Sequence, residues 1–197
     1  VMKKILFFFL PLGLFAQAST YLEEAPNLKY ANSIVVEDLQ RHINILASDS
    51  LQGRETGKPG QKMAANYIAN FFKEIGIPPY KNNSYFQKFK VKTVKRYGKW
   101  KWDKKGVLDK ILNNNYIKGE NIIGFIEGSD LKDQIVVITA HYDHLGTKDS
   151  LIYNGADDNG SGTVAIMEIA EAFMLAKKEG KGPRRSILIM PVSAEEK

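Results

Sequence analysis

Three short segments in the second half of the chain combine imidazole and carboxylate side chains. They are residues 141–146 (HYDHLG), 155–160 (GADDNG) and 194–196 (AEE). The chain contains no cysteine, which excludes disulfides, thiolate metal sites and a cysteine nucleophile. Imidazole and carboxylate groups are the donors that bind Zn²⁺ in proteins when thiolates are absent. The three segments therefore indicate a metal site.

Each segment also has a plainer interpretation when it is taken alone. A single His-x-Asp occurs often by chance. Asp157 and Asp158 could form only a turn and a helix cap, because Asp favours both places. Glu195 and Glu196 could be a solvated pair. The metal site is favoured because all three segments occur together, each at the junction of a predicted strand or helix with a loop.

The spacing of apolar residues predicts the elements that would position these segments. Strands are predicted at residues 121–127, 134–140 and 186–192, and a helix at residues 161–178. The strand–loop–helix–strand order after residue 134 is typical of a βαβ unit with parallel strands. In open α/β sheets, ligands bind at the carboxyl ends of the strands. The expected fold is therefore α/β, with a mixed, largely parallel sheet flanked by helices.

Two further helices, at residues 34–47 and 61–75, are predicted upstream and are joined by a glycine-rich loop at residues 52–60. The loop lacks the Gly-Lys-Ser/Thr ending of a phosphate-binding loop, and we expect Arg54 and Glu55 to brace it. The second helix is expected to face inward with Met63, Tyr67, Ile68, Phe71 and Ile75.

His42 and a basic aromatic stretch could each bind a ligand, but the sequence favours a structural role for both. His42 lies on the flank of the first helix's apolar stripe and is expected to be a half-buried structural residue. Residues 96–105 (RYGKWKWDKK) follow a strand predicted at residues 88–93 and favour a surface hairpin with lysine edges over a stacking surface for nucleic acid. The net charge of +6 includes Lys3 and Lys4 and does not indicate a polyanion as partner.

The first 18 residues have the pattern of a secretory signal peptide. Lys3 and Lys4 precede an apolar run at residues 5–15, and residues 16–18 (AQA) form a small-x-small cleavage site. The run is about half of the ~20 residues that a membrane-spanning helix needs. We therefore expect a signal peptide at residues 1–18 and one domain at residues 19–197. The mature protein would be periplasmic or extracellular, without a membrane anchor.

As a set, the motifs resemble those of metallopeptidase family 28, the two-zinc aminopeptidases. The resemblance includes HYDHLG, GADDNGSG and AEE. It extends upstream to residues 46–77 (LASDSLQGRETGKPGQKMAANYIANFFKEIGI) and residues 121–128 (NIIGFIEG). It implies a zinc exopeptidase that hydrolyses the N-terminal peptide bond of a peptide or protein, with two Zn²⁺ ions in a complete domain.

The resemblance also assigns the metal ligands and the catalytic group. It implies that His141 binds one zinc, that Asp157 bridges both ions and that Glu196 binds a zinc. Glu195 would be the general acid/base, taking a proton from a water shared by the two ions and delivering it to the leaving amine. These side chains are therefore expected to meet around one pair of ions.

Other residues of the motifs are expected to support the ligands. Asp143 would accept a hydrogen bond from the second ring nitrogen of His141 and so fix its tautomer. Asp158 would follow the bridging Asp157 through a cis peptide bond. His144 is expected to line the site without contacting metal.

The resemblance stops short of a complete ligand set. Family members take two further ligands, an Asp and a His, from sequence that follows the Glu-Glu motif, and this chain ends at Lys197. We therefore expect this chain to be a partial catalytic domain. It would lack the strands that cover one side of the sheet and much of the specificity pocket. Two alternatives remain open: an inactive remnant or binding module, and a single-zinc enzyme of the same fold that cyclises N-terminal glutamine.

Overall fold

The computed structural model describes residues 27–81, 83–92 and 116–197. The predicted signal peptide at residues 1–18 and the basic stretch at residues 96–105 lie outside the described residues. The helices are α1 (Leu28–Ala31), α2 (Val36–Leu46), α3 (Pro59–Ile75) and α4 (Gly162–Lys178), with a 3-10 turn at Asp49–Arg54 and a π-helical turn at Ala156–Ser161. The strands are β1 (Phe86–Lys92), β2 (Tyr116–Ile122), β3 (Gly124–Ile126), β4 (Leu131–His141), β5 (Gly146–Lys148), β6 (Leu151–Tyr153) and β7 (Arg185–Val192). None of the helices in these ranges is long and apolar enough to cross a membrane.

Helix α3 begins and ends where its sequence favours helix boundaries. Pro59 occupies the first turn, where its missing N–H costs nothing, and Gly76 ends the helix in the left-handed conformation with φ 87°. The helix packs against the core largely through the predicted face, with Ile68, Phe71 and Ile75 buried. Met63 is 42% exposed, so its predicted inward position is wrong, and Ala64 and Phe72 are fully buried instead. Small alanine side chains on this face allow the helix to approach the core closely.

The central sheet is mixed, as the sequence predicts. It has the strand order β3–β7–β4, in which β4 and β7 are parallel and β3 is antiparallel to β7. Helix α4 connects the two parallel strands and packs on them with its buried side chains, among them Met167. Because β4 and β7 are parallel, His141 is opposite Val192 at one edge of the sheet. The loops that follow both strands therefore start side by side.

The strand predicted at residues 121–127 is wrong as a single element. Strand β2 ends at Ile122 and pairs antiparallel with β1, whereas β3 begins at Gly124 and pairs with β7. A Cβ atom at Gly124 would lie 2.8 Å from the Ile77 side chain and 3.0 Å from Phe72. The glycine backbone therefore packs directly against Phe72 of α3 and against Ile77 at the point where the chain passes from one sheet to the other.

Strand β4 is more exposed than parallel strands usually are, since these are generally covered on both faces. Ile135 and Val137 are each 50% exposed, and Val136 is 41% exposed. In the residues that the structure describes, β7 is its one partner in the sheet. Burial increases only towards the carboxyl end of the strand, where Ala140 is 9% exposed. This end carries the candidate site.

Candidate metal centre

His141 is the last residue of β4 and presents both ring nitrogens to polar groups. Its Nδ1 lies 3.1 Å from the backbone carbonyl oxygen of Asp143, and its Nε2 lies 3.1 Å from Oδ1 of Asp158. Thr163, at the start of α4, donates a hydrogen bond from its hydroxyl to the His141 carbonyl at 2.9 Å. With only 11% of its side chain exposed, the ring is fixed in orientation at the edge of the sheet.

The expected hydrogen bond from His141 to the carboxylate of Asp143 is replaced by one to the backbone. The nearest carboxylate oxygen is 3.7 Å from Nδ1, so the carbonyl group of Asp143 takes that place. The fully buried carboxylate instead accepts hydrogen bonds from the Thr56 hydroxyl at 2.6 Å and from the backbone N–H of Ala194 at 2.9 Å. Asp143 therefore joins the loop after β4 to the loop after β7.

His144 lies closer to a carboxylate than the sequence predicts. Its Nδ1 is 3.0 Å from Oε1 of Glu196, and the two side chains are 11% and 17% exposed. His144, Asp158 and Glu196 each offer one donor atom such that all three atoms lie within 4.8 Å of one another. His144 is thus one of three grouped donors, whereas the sequence expects it only to line the site.

Asp158, and not Asp157, brings its carboxylate to both histidines. It contacts His141 and also belongs to the group that contains His144. Asp157 is exposed, and its backbone carbonyl accepts a hydrogen bond from Ser161. The cis peptide bond joins Asp158 to Asn159, one residue later than expected. The resemblance gives the bridging role to Asp157, whereas in the structure the carboxylate beside the histidines is that of Asp158.

Glu195 and Glu196 leave β7 in different directions. Glu196 is mostly buried against His144, while the Glu195 side chain is 59% exposed and its Oε2 lies 4.0 Å from Nε2 of His141. Ala194, just before them, has a positive φ of 72°. This turn of the backbone separates the two adjacent carboxylates, so that one groups with donor atoms and the other faces solvent beside the site.

The electrostatic character of the site is acidic. Asp158 and Glu195 are 67% and 59% exposed in their side chains. Among the ion pairs of the described ranges, the partners of Asp158, Glu195 and Glu196 are histidines and never Lys or Arg. Carboxylates that cluster without a cation repel one another. A bound divalent cation would relieve this repulsion.

The donor set fits zinc. The donor atoms of His144, Asp158 and Glu196 lie within 4.8 Å of one another, and the Asp158 carboxylate also lies 3.1 Å from Nε2 of His141. Zn²⁺ prefers this mixture of nitrogen and oxygen donors where thiolates are absent. Asp158 has the position required to connect the His141 side of the site with the His144 side. The structure therefore brings together donor groups that could hold a metal ion.

Arg54 braces the glycine-rich loop, as the sequence predicts, through hydrogen bonds and not through an ion pair with Glu55. Arg54 is fully buried and donates only to backbone carbonyl groups, while Glu55 pairs with Lys197 at 2.9 Å. Burial lowers the pKa of Arg54 to about 10, so the guanidinium remains charged at neutral pH. Sequence reasoning missed Thr56, whose role depends on contacts with residues far along the chain.

His42 is a structural residue, as the sequence predicts, but it is buried rather than half-buried. It is 2% exposed, its Nδ1 lies 2.6 Å from the Tyr67 hydroxyl, and its Nε2 lies 3.1 Å from Oε1 of Glu168. Phe71 packs edge-on against the ring. Burial lowers the pKa of His42. These contacts tie α2, α3 and α4 together away from the candidate metal centre.

A mixed sheet with imidazole and carboxylate donors at the carboxyl ends of its parallel strands defines an α/β protein with a candidate metal site. The sequence profile of Peptidase family M28 matches residues 121–197. Over this segment the chain matches peptidase family M28, a family of metallopeptidases, and the predicted resemblance is confirmed.

Curated relatives match the chain over less than half of its length. A protein named "Probable glutamate carboxypeptidase LAMP1" from Arabidopsis thaliana is 37% identical over 92 residues, which is 44% of this chain and 12% of that protein. A "Probable zinc metalloprotease" from Leptosphaeria maculans is 34% identical over 84 residues, which is 41% of this chain and 18% of that protein. The chain thus spans less than a fifth of the length of these relatives.

Solved structures share the fold at low sequence identity. A glutaminyl cyclase from Macrostomum lignano superposes with a TM-score of 0.59 and 16% identity, covering 88% of this chain and 42% of that one. The zinc aminopeptidase BSAP from Bacillus subtilis gives a TM-score of 0.55 and 15% identity, covering 81% of this chain and 62% of that one. The predicted fold class is therefore confirmed.

Proposed function

We propose that the protein is a zinc-dependent exopeptidase that removes residues from the N-terminus of peptides or proteins. The observation that carries this proposal is the position of the Asp158 carboxylate, which contacts His141 and groups with His144 and Glu196. The match of residues 121–197 to a peptidase family supports peptide hydrolysis as the reaction. The zinc requirement is supported by the donor types, and a count of two ions by the two imidazole sides that Asp158 connects.

Each side chain then has a defined task. His141, Asp158, His144 and Glu196 would hold zinc, which supplies an acidified water and polarises the scissile carbonyl when it is bound. Glu195 is the side chain left free beside the donors, with 59% of its surface exposed. It would accept a proton from the attacking water and return it to the leaving amine, the usual task of a positioned carboxylate.

The acidic surroundings favour recognition of an amino terminus over a carboxyl terminus. A substrate α-amino group is cationic near neutral pH and is attracted to the combined negative charge of the carboxylates around the site. A substrate carboxylate would instead need a Lys or Arg side chain, and two such side chains of the described residues already have partners. Lys197 pairs with Glu55, and Arg54 donates to backbone carbonyls.

Removal of a C-terminal residue is the second candidate, because relatives with 33–37% identity carry the name glutamate carboxypeptidase. The glutaminyl cyclase structures share the fold only. One set of substrates separates these reactions in the zinc-loaded protein: leucine 4-nitroanilide, an N-acetylated dipeptide ending in glutamate, and a glutaminyl coumarin amide. Our proposal predicts turnover of the first and no turnover of the acetylated dipeptide.

The catalytic role of Glu195 is tested with the same substrate. Glu195→Gln should lower kcat for the nitroanilide by about 10²–10⁴-fold, the usual contribution of a general acid or base, with unchanged zinc content by elemental analysis. Cleavage of the acetylated dipeptide alone would replace our proposal with carboxypeptidase activity. Ammonia release from the glutaminyl substrate with one zinc would support a cyclase, and an unaltered kcat in the variant would refute the role of Glu195.

We further propose that the protein is exported and acts on peptides in the periplasm or outside the cell. The proposal is supported by the basic residues, the apolar run and the small-x-small site in residues 1–18. N-terminal sequencing of the secreted protein should give residue 19 as the first amino acid. A retained N-terminus in a cytoplasmic fraction would contradict it.

A further inference from the structure

Arg54 contacts the segments on both sides of the candidate metal centre without supplying a donor atom to it. Its guanidinium donates four hydrogen bonds of 2.5–2.8 Å to backbone carbonyl groups, and the residue has no exposed surface. The acceptors are the carbonyls of Leu46, Tyr142, Asn154 and Gly155. One planar cation thus connects the end of α2, the loop after β4 and the turn that carries Asp158.

Thr56 makes the corresponding connection to the loop after β7. Its hydroxyl donates to the Asp143 carboxylate at 2.6 Å, accepts from the backbone N–H of Ala194 at 3.0 Å and lies 3.0 Å from the Ser193 hydroxyl. Because its single proton goes to Asp143, Ser193 must donate to it. Thr56 is 1% exposed, so water does not replace these contacts. The hydroxyl therefore links the histidine loop to the segment that contains Glu195.

The backbone between α2 and Thr56 adopts a conformation that needs external support. Gln52, Gly53 and Arg54 all have positive φ angles, of 49°, 64° and 51°. For residues other than glycine this conformation is unfavourable. Gly53 also approaches the β5–β6 hairpin so closely that a Cβ would lie 2.4 Å from the carbonyl oxygens of Gly146 and Tyr153. Unfavourable backbone of this kind persists only where surrounding contacts enforce it.

We propose that Arg54 and Thr56 are positioning residues that hold the three donor-bearing segments in register. Arg54 fixes the His141–His144 loop relative to the Asp158 turn, and Thr56 fixes it relative to Glu195 and Glu196. The inference deepens the proposed function and rests on it where zinc affinity is concerned. The arrangement of the two histidines, however, is a property of the protein without metal and can be measured separately.

Thr56→Val is the decisive variant, because replacing the fully buried Arg54 threatens folding itself. Valine keeps the shape of threonine and removes the hydroxyl, while Thr56→Ser restores it. Ser186→Ala is the matched control. Ser186 is also fully buried, and its hydroxyl accepts from the Gly128 N–H and donates to the Lys132 carbonyl away from the site.

The chain offers a direct spectroscopic readout because it contains only three histidines. Imidazole NMR signals of the metal-free protein should shift or broaden for His141 and His144 in Thr56→Val, while the signals of His42, packed against Tyr67 and Glu168, stay in place. Thr56→Ser and Ser186→Ala should retain the original spectrum. The zinc dissociation constant, measured by competition with a chelator, should rise about 10–100-fold in Thr56→Val alone.

Unchanged His141 and His144 signals in folded Thr56→Val would overturn the positioning role, whatever the zinc affinity. An equal rise of the dissociation constant in Ser186→Ala would also overturn it, because a general loss of stability would then explain both variants. If the unsubstituted protein bound no zinc while the two signals still shifted in Thr56→Val, the proposed zinc function would fail and the positioning role would stand.

Discussion

Oδ1 of Asp158 lies 3.1 Å from Nε2 of His141, across the gap between the end of β4 and the turn that precedes α4. The same carboxylate groups with His144 and Glu196. The Asp158 carboxylate thereby connects the two histidines at the end of β4 with Glu196, which follows β7. This relationship makes the site a candidate for metal binding more directly than any single motif does.

Asp158→Asn should weaken zinc binding far more than Asp157→Asn. An amide retains the shape of the carboxylate but loses its charge, and only Asp158 contacts the other donors. The loss at Asp158 should exceed the about 10–100-fold that removal of a supporting residue costs, measured by chelator competition. Asp157→Asn is the matched control. The opposite order would return the bridging role to Asp157, as the sequence resemblance implies.

Zinc should raise the thermal stability of the protein, because it binds only the folded arrangement of donors. At a free zinc concentration of about 100 times the dissociation constant, the gain is about 2.7 kcal/mol. For a chain of this size it corresponds to an increase in Tm of about 5–10 °C. Scanning calorimetry with zinc, and again after a chelator, measures it. Magnesium at the same concentration is the control, since it binds imidazole poorly. An equal effect of both ions would contradict a specific site.

Gly155→Ala should disturb both the fold and the site. Gly155 has φ 51°, and an added Cβ would lie 2.4 Å from the His144 ring and 2.5 Å from the Asp158 carbonyl oxygen. The backbone cost alone is about 1–2 kcal/mol, and the clash adds to it. Gly180→Ala is the control, with φ 74° but nothing within 4 Å of the new Cβ.

Urea unfolding should show a larger loss in Gly155→Ala than in Gly180→Ala, and zinc binding should weaken only in the former. Equal losses of stability with intact zinc binding would mean that the turn adjusts freely around His144.

Glu168→Gln should stabilise the protein at alkaline pH and have little effect at acidic pH. Glu168 is 2% exposed, and its Oε1 lies 3.1 Å from Nε2 of His42 but lacks a hydrogen-bond partner of good geometry among the described residues. Burial first, and then the charges of Glu171 and Asp38, raise the pKa of Glu168 to about 7, while Arg41 opposes them.

The direction of this pH dependence of stability follows from proton linkage. The folded state binds the Glu168 proton more tightly than the unfolded state, whose pKa is near 4.5. The contribution of the protonated Glu168 to the free energy of unfolding is fully present below about pH 4.5. It is lost as the pH rises through about 7. The difference amounts to at most about 3 kcal/mol. His42 acts in the opposite sense, because its lowered pKa costs stability as the pH falls.

Thermal unfolding of Glu168→Gln and the unsubstituted protein at pH 5 and pH 8 measures the effect. The difference in Tm should grow from pH 5 to pH 8 in favour of the variant. The exposed Glu127→Gln should show no such trend and serves as control. A variant that is less stable at pH 8 would indicate that Glu168 is ionised and stabilised by a protonated His42.

The sequence by itself determines the elements and the neighbourhood of the site. The spacing of apolar residues predicts α3 and α4, because burial of one helix face requires that pattern, and apolar runs predict β4 and β7. The order of strand, helix and strand places the loops after His141 and Val192 at one edge of the sheet. The three motifs also carry enough information to predict the family.

Only the tertiary structure decides which side chains of those motifs meet. Asp157 and Asp158 are identical in type and adjacent, so no pattern distinguishes them. Their directions depend on backbone angles in the turn, and Arg54 holds that turn through hydrogen bonds to carbonyls about 100 residues away in sequence. The grouping of His144 with Glu196 likewise depends on the turn at Ala194. Such long-range contacts leave no local signal, because a buried polar group satisfies whichever backbone partner the fold brings to it.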